Sequence, residues 1–404
     1  MKYLDKEIEK KNKKKIIFTA GPASLLKENL TQLNPCFGRG DNEYLKKEEF
    51  VLKKILKLSG QSHIARMQGS ASLALEIMAS NFLYGKVLII ETGYYSDRIN
   101  YLTSCAKKNF KKIKKIKKIN YKDVDNFSEK FDWIFACSTE TSCGLKIPIE
   151  YLHKLKKRCK AKLILDATGS IGLEKNHDLS DVMGFSSCKG LFGLTGACFV
   201  AFSTQPQNEI NSFYMNINSH IDKKMTGPYH IIYSLHDVLK KHSDFSESVK
   251  INKNIFLKKM HQYLTQPLLY QPNLCTHTTK KIKATNKNVI LYQPRNDIGG
   301  SVVCHIGEVH LGKNAKGKIL NGLVEYFYEN GHVKYRSRYK DGKRDGFFEH
   351  YKVNGQLWAK THFKDGEPLS SYNESALRIT NDTGFDSSYL PSQLKNPMVF
   401  EKVK

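Results

Sequence analysis

Acidic residues are scarce in this chain: 39 Asp and Glu stand against 65 Lys and Arg, for a formal net charge of +26. Long apolar runs are missing too, since no stretch reaches the roughly eighteen residues that a spanning helix requires. The nine cysteines are an odd number, and none belongs to a Cys-x-x-Cys pair or to a His/Cys cluster at zinc spacing. These absences speak against a disulfide scaffold and a zinc module, suit reduced thiols in a cytoplasmic protein, and leave no metal ligand to expect. A Gly-x-x-x-x-Gly-Lys-Ser/Thr loop and a three-glycine dinucleotide fingerprint are both lacking, which removes the commoner nucleotide-binding classes. Residues 1–15 carry seven lysines and no apolar run, so this basic arm lacks the hydrophobic centre of a secretory signal.

The excess of positive charge has two readings. Clustered lysines release counterions from a phosphate backbone or an anionic surface. Lysine, asparagine and isoleucine also rise together when a coding sequence is AT-rich, with no partner involved, and no nucleic-acid module accompanies the charge here. No specific nucleic acid is therefore expected. The densest run, Lys107 to Lys118, surrounds Phe110, Ile113 and Ile116, which fits a helix end followed by a strand with solvated lysines.

From residue 16 to 264 short β-rich runs alternate with amphipathic helical stretches, the signature of an α/β domain with a mainly parallel sheet. Strands are expected at Val87 to Glu91, Lys112 to Tyr121, Trp133 to Cys137, Lys162 to Leu165, Val182 to Phe185 and Ala197 to Phe202. Helices are expected at Tyr44 to Leu58, Ser72 to Leu83, Ser96 to Lys107, Ile149 to Cys159 and His230 to His242. Residues 265–312, interrupted by three Gln-Pro pairs and Gly299-Gly300, form a shortened small domain or linker.

Residues 313–369 repeat with a period of 24: Gly322 aligns with Gly346, Glu325 with Glu349, Gly331 with Gly355, and Asp341-Gly342 with Asp365-Gly366. Asn-Gly and Asp-Gly are hairpin turn signals, so each unit is a β-hairpin, and aromatics such as Tyr335, Phe347, Phe348, Trp358 and Phe363 are expected to line a shared face. So few units make a thin core, and docking on another surface is expected. Residues 370–404, rich in Ser and Asn, form an extended tail.

The chemistry-bearing residues lie in the α/β region. Lys162 to Leu165 is an apolar strand that delivers Asp166 at its C-terminal end, the edge where ligands bind in open parallel sheets. A second short strand ends in Ser186-Ser-Cys-Lys189-Gly190. A lysine amine that forms a Schiff base and a carboxylate that keeps a pyridine nitrogen protonated are what pyridoxal-phosphate (PLP) chemistry requires. A turn-capping Asp and a surface Lys are the plain alternatives. Gln68-Gly-Ser-Ala-Ser72 opens a helix and would aim N–H groups and a hydroxyl at an anion, or serve as an ordinary N-cap. Glu140 is either a loop cap or a site residue, and the histidines show no ligand-like spacing.

Six segments occur in a telling order: Phe18-Thr-Ala-Gly-Pro22, Met67-Gln-Gly-Ser-Ala71, Glu91-Thr-Gly-Tyr-Tyr-Ser-Asp-Arg98, Ser138-Thr-Glu-Thr-Ser-Cys-Gly144, Leu165-Asp-Ala-Thr-Gly-Ser170 and Ser186-Ser-Cys-Lys189. Over residues 16–262 this order resembles the class V PLP-dependent aminotransferases, in particular their 2-aminoethylphosphonate:pyruvate branch. The resemblance implies PLP fold type I, a three-layer αβα architecture whose site is completed across a homodimer. It implies PLP as cofactor, Lys189 as the Schiff-base lysine and Asp166 as partner of the pyridine nitrogen. Gly69, Ser70 and Ala71 would contact the phosphate, Tyr95 would stack on the ring, and Thr141 would lie near the ring hydroxyl.

The implied reaction moves an amino group from 2-aminoethylphosphonate or a similar small amine to pyruvate, a 2-oxo acid. Three departures from the family stand out. Cys188 replaces a polar residue before the lysine, Ile231 ends Thr226-Gly-Pro-Tyr-His-Ile231 where relatives carry a phosphate-binding Thr, and Val302 occupies the place of the arginine that clamps the substrate carboxylate. Arg295 is a candidate replacement. Residues 313–369 resemble bacterial MORN-type repeats, which implies an interaction module for a protein or anionic-surface partner. The alternative function is thus a catalytically altered PLP-fold scaffold whose repeats bind that partner.

Overall fold

The computed structural model describes residues 16–19, 26, 28–29, 40–283, 289–292, 298–306, 322–328, 332–340, 343–364 and 367–371. Strand β1 (Ile16–Phe18) lies apart from the main sheet, paired in parallel with β12 (Val289–Leu291). The main sheet combines β2 (His63–Gln68), β3 (Gly85–Glu91), β4 (Ile113–Asn120), β5 (Trp133–Cys137), β8 (Lys162–Asp166), β9 (Val182–Ser186) and β10 (Ala197–Phe202). Their order is β2-β10-β9-β8-β5-β3-β4. All neighbours are parallel except β10, which runs antiparallel to both β2 and β9.

Strands such as Trp133-Ile-Phe-Ala-Cys137 are apolar at every position because both faces of the sheet are covered. Alternate residues serve opposite cores. Leu88, Ile90, Ile134, Leu163 and Leu165 pack towards α1 (Asn42–Ser59), α4 (Ile149–Cys159) and α5 (Tyr229–Lys240). Val87, Ile89, Trp133, Phe135 and Ile164 pack towards α2 (Ala71–Phe82) and α3 (Tyr94–Phe110). The three-layer αβα arrangement expected for residues 16–264 is therefore present.

The lysine run resolves as a helix end and an edge strand. Strand β4 buries Ile113 and Ile119 and turns its lysines outward, a charged edge that blocks further strand pairing. Lys117 and Lys118 pair with Glu129 and Glu91.

After α5 the chain breaks at Lys241 and continues as α6 (His242–Met260), a helix beyond the expected end at His242. Phe245, Val249, Asn252 and Phe256 bury one stripe of an otherwise polar sequence. Strands β11 (Cys275–Thr278) and β13 (Ser301–Cys304) pair antiparallel, and Val303 packs with Phe256. A short ribbon of β6 (Thr139–Glu140) and β7 (Leu145–Lys146) leaves the C-terminal end of β5, and its turn residue Gly144 approaches β11 so closely that a Cβ would stand 2.5 Å from the His277 amide nitrogen.

The repeats form a five-stranded antiparallel meander of β14 (Gly322–Phe327), β15 (Val333–Lys340), β16 (Lys343–Tyr351), β17 (Leu357–Lys364) and β18 (Glu367–Ser371). It meets α6 through β14. Tyr335, Phe348 and Phe363 make successive ring contacts at 6.0 and 6.3 Å. The single shared aromatic face expected from sequence is not what forms: Phe347, next to Phe348, points to the opposite side and stacks on His362 at 4.6 Å, because neighbouring strand residues face opposite ways.

Candidate active site

The loops that carry the expected site residues gather at the C-terminal ends of the parallel strands. Asp166 closes β8 and is 4% exposed, and its carboxylate accepts the Thr168 N–H at 2.9 Å. Lys189 stands on the loop between β9 and β10, where its ammonium lies 3.4 Å from the Thr141 hydroxyl and 5.1 Å from the centre of the Tyr95 ring. Asp166 and Lys189 act on one common neighbour. Burial holds the Cys137 thiol well above its ordinary pKa, the Asp166 and Glu140 charges raise it further, and the Lys189 charge pulls it down. The structure thus brings Lys189, Thr141 and Tyr95 together, with Asp166 at the end of β8, the strand next to β9 that leads into the lysine loop.

The lysine loop is fixed by close backbone approaches. A Cβ on Gly190 would stand 1.9 Å from the Ile171 carbonyl oxygen, and His242 holds the Gly190 carbonyl at 2.8 Å. Cys188 turns away to Ser186, at 3.4 Å.

Gly69, Ser70 and Ala71 form the entry to α2. The Gly69 N–H bonds the Gly196 carbonyl at 3.0 Å, which sets this turn beside the start of β10 and so beside the lysine loop. A side chain at Gly69 would collide with Leu73 at 2.7 Å. Ser70 is the N-cap residue, yet its hydroxyl makes no cap bond to the helix. The plain N-cap alternative therefore lacks its defining contact, and the open amides of the first turn remain available to an anion.

Glu140 is a cap. It is fully buried at the N-terminus of α3, where its carboxylate accepts the Tyr95 N–H at 3.0 Å, the Ser96 N–H at 3.3 Å and the Thr92 hydroxyl at 3.2 Å. Burial raises its pKa, partly offset by hydrogen bonds from the Ser142 hydroxyl and N–H, the Tyr95 N–H and the Thr92 hydroxyl. Gly93, at φ 148°, is needed here because a Cβ would press on Glu140 at 3.2 Å. Glu140 thereby sets the position of the Tyr95 ring.

Sequence reasoning gave no separate role to Arg98 or Tyr292. The Arg98 guanidinium donates to the Ser72 hydroxyl at 3.1 Å and lies 5.2 Å from both the Tyr94 and Tyr95 rings, tying the entry of α2 to the aromatic pair. Burial raises the Tyr292 pKa, and the Tyr95 charge adds to it. No local periodicity marks either contact. Val302 is a buried residue of β13, 1% exposed and paired with His277. Arg295 lies outside the described residues. Ile231 lies near Gly196. Among the described residues no group of three or more His, Cys, Asp or Glu is arranged to hold a metal.

Comparison with known proteins agrees with this architecture. No family model matches the chain. It is 24% identical over 253 residues to a 2-aminoethylphosphonate–pyruvate transaminase of Pseudomonas aeruginosa, covering 57% of this chain and 68% of that protein. A Pseudomonas putida protein of the same name is 23% identical, with 57% and 69% covered. Among solved structures, a Thermus thermophilus aspartate aminotransferase superposes with a TM-score of 0.61 at 17% identity, over 72% of this chain and 93% of the other. A pyridoxamine–pyruvate aminotransferase of Mesorhizobium loti gives 0.59 at 18%, over 72% and 86%. The fold is the type I fold of PLP-dependent aminotransferases. A Nostoc alanine–glyoxylate aminotransferase shares it as well, with a TM-score of 0.60 at 15% identity over 71% of this chain and 88% of the other.

Proposed function

We propose that this protein is a PLP-dependent aminotransferase that moves an amino group from 2-aminoethylphosphonate or a similar small amine to pyruvate. The observation that supports the reading is the contact of the Lys189 ammonium with Thr141 and Tyr95, on the loop after β9, with Asp166 closing the neighbouring strand β8. Homology at 24% identity to a transaminase of that specificity supports the choice of substrates.

The residues present fit PLP. The Thr168 hydroxyl, two residues beyond Asp166, is buried with no partner in the fold. Lys189 would hold the group covalently, Asp166 its ring nitrogen, and Gly69, Ser70 and Ala71 its phosphate. When bound, PLP supplies an electron sink for the carbon that loses a proton. The chain's own part is then positional and acid–base. Asp166, at 4% exposure, presents a fixed carboxylate for a ring N–H. Tyr95, anchored by Glu140, supplies a flat apolar wall. Lys189, steadied by Thr141, carries the proton between carbon and solvent. By the same resemblance two copies of the chain would complete each site.

A second reading, a PLP-fold scaffold altered in catalysis whose repeats bind a protein or anionic surface, is favoured by Val302, whose buried side chain cannot clamp a carboxylate. One experiment separates the two. Full-length protein with PLP is expected to show the visible absorbance of lysine-bound cofactor, absent in Lys189→Ala, and to lose that band on addition of 2-aminoethylphosphonate and regain it with pyruvate. A protein that stays colourless with PLP overturns both readings. A stable band that no amino donor discharges favours the scaffold.

A further inference from the structure

Helix α6 begins where the loops after β8 and β9 meet. His242, its first residue, is 4% exposed, and its ring lies 5.4 Å from that of Phe192 in the lysine loop. Its Nε2 stands 2.8 Å from the Gly190 carbonyl oxygen. A carbonyl can only accept, so the imidazole donates from Nε2. Burial pushes its pKa down from 6.5, so the ring is neutral at pH 7 and its single N–H is committed to this bond.

The same helical turn holds the loop that follows Asp166. Ser246, four residues on, donates its hydroxyl to the Gly172 carbonyl at 3.1 Å. Gly172, at φ 74°, comes so close that a Cβ there would stand 2.5 Å from His242 Nε2 and 2.8 Å from the Gly190 oxygen. Gly190 in turn lies against the Ile171 carbonyl. Three stretches of backbone therefore meet around one imidazole: the turn after Asp166, the turn after Lys189 and the start of α6. Neither glycine leaves room for a side chain, so backbone contacts and the His242 bond set the spacing of the two loops.

We infer that His242 is a positioning residue for Lys189: its Nε2–H holds the Gly190 carbonyl against the Gly172 turn and thereby fixes the amine beside Thr141 and Tyr95. The inference rests on the reading of Lys189 as the residue that links to PLP. A lysine side chain turns about four single bonds, so its reach is only as well defined as the backbone that carries it. Without the donor, the Gly190 carbonyl is buried and unpaired, a state the loop relieves by moving.

Two ligands separate this role from general support of the fold. PLP can link to Lys189, whereas pyridoxamine phosphate carries an amine in place of the aldehyde and has only the ring and phosphate contacts. Full-length protein is titrated calorimetrically with each. His242→Phe, which keeps a ring against Phe192 and removes the donor, is expected to weaken PLP about tenfold and pyridoxamine phosphate by no more than about twofold. His242→Gln, which keeps an N–H donor, is expected to bring PLP back to within about threefold of wild type. Ser246→Ala, which leaves the lysine loop's bond intact, is expected to change both ligands by the same factor. If His242→Phe does not fold, His242→Met replaces it with a pliant side chain that also lacks the donor. Equal weakening of the two ligands by His242→Phe, or a Gln variant no better than the Phe variant, overturns the inference and leaves the PLP reading standing. Wild-type protein that binds neither ligand overturns that reading and this inference together.

Discussion

Replacing Arg66 with methionine should unbalance a buried charge whose cost can be worked from the structure. Arg66 on β2 and Glu48 on α1 form an ion pair with side-chain exposures of 5% and 2%. The Glu48 carboxylate also accepts the Tyr44 hydroxyl at 3.1 Å and the Lys223 ammonium. Burial would raise the Glu48 pKa, but the bonds from Lys223 and Arg66 outweigh it and hold it below the ordinary value. Without the guanidinium, Glu48 must remain charged beside the half-exposed Lys223 or take up a proton. Protonation at pH 7 from an ordinary carboxylate pKa costs about 3–4 kcal/mol, close to the roughly 3–5 kcal/mol typical of breaking a buried pair. A loss of about 3 kcal/mol is expected. Urea unfolding followed by Trp133 fluorescence measures it, since Trp133 sits in the sheet at 1% exposure, and a Trp358→Phe background removes the other indole. The double variant Glu48→Leu/Arg66→Met should recover at least about 2 kcal/mol of the loss. The pH dependence has a defined sign. Because the folded pKa of Glu48 is depressed, its contribution is present above the ordinary carboxylate pKa and is lost as pH falls through the folded value. The gap between wild type and Arg66→Met should therefore narrow in acid. A single-variant loss below about 1 kcal/mol, or a double variant no better than the single, would refute the reasoning.

Ser70→Ala should leave the PLP-free protein within about 0.5 kcal/mol of wild type, because no cap bond is lost. It should weaken PLP binding about tenfold, measured by absorbance titration, for one missing phosphate bond. Gly190→Ala has no room against the Ile171 carbonyl and should cost roughly 3 kcal/mol or more, seen in the urea midpoint together with a disturbed cofactor band. His177 and His305 are buried and neutral, with burial pushing their pKa values down to about 4 and about 3 from 6.5. A depressed imidazole contributes its full stability above pH 6.5 and loses it as pH falls towards the folded value, by about 1.4 kcal/mol per pH unit for each group. His177→Gln should flatten that decline in a urea series between pH 6.5 and 4.5, and an unchanged slope would show that His177 is not neutral in the fold.

Much of this protein was legible in its sequence because the signals are local. Continuous apolar runs such as Trp133 to Cys137 specify strands covered on both faces, and the order of motifs from Gln68 to Lys189 names the loops on which the proposed site is built. The lysine edge of β4 and the hairpins of the 24-residue repeat follow from the same short-range patterning. Tertiary structure alone decided what those loops face. Strand β10 enters antiparallel between β2 and β9, which sets Gly196 against Gly69 and so joins the Gly69 turn to the lysine loop. Glu140 became the anchor of Tyr95, Arg98 the tie to Ser72, and Glu48 the partner of Arg66, although each pair is far apart in sequence and none repeats with a period. Side-chain periodicity encodes which way a residue points from its own strand or helix; which residue it meets depends on how crossovers bring distant elements together, and no short window of sequence contains that information.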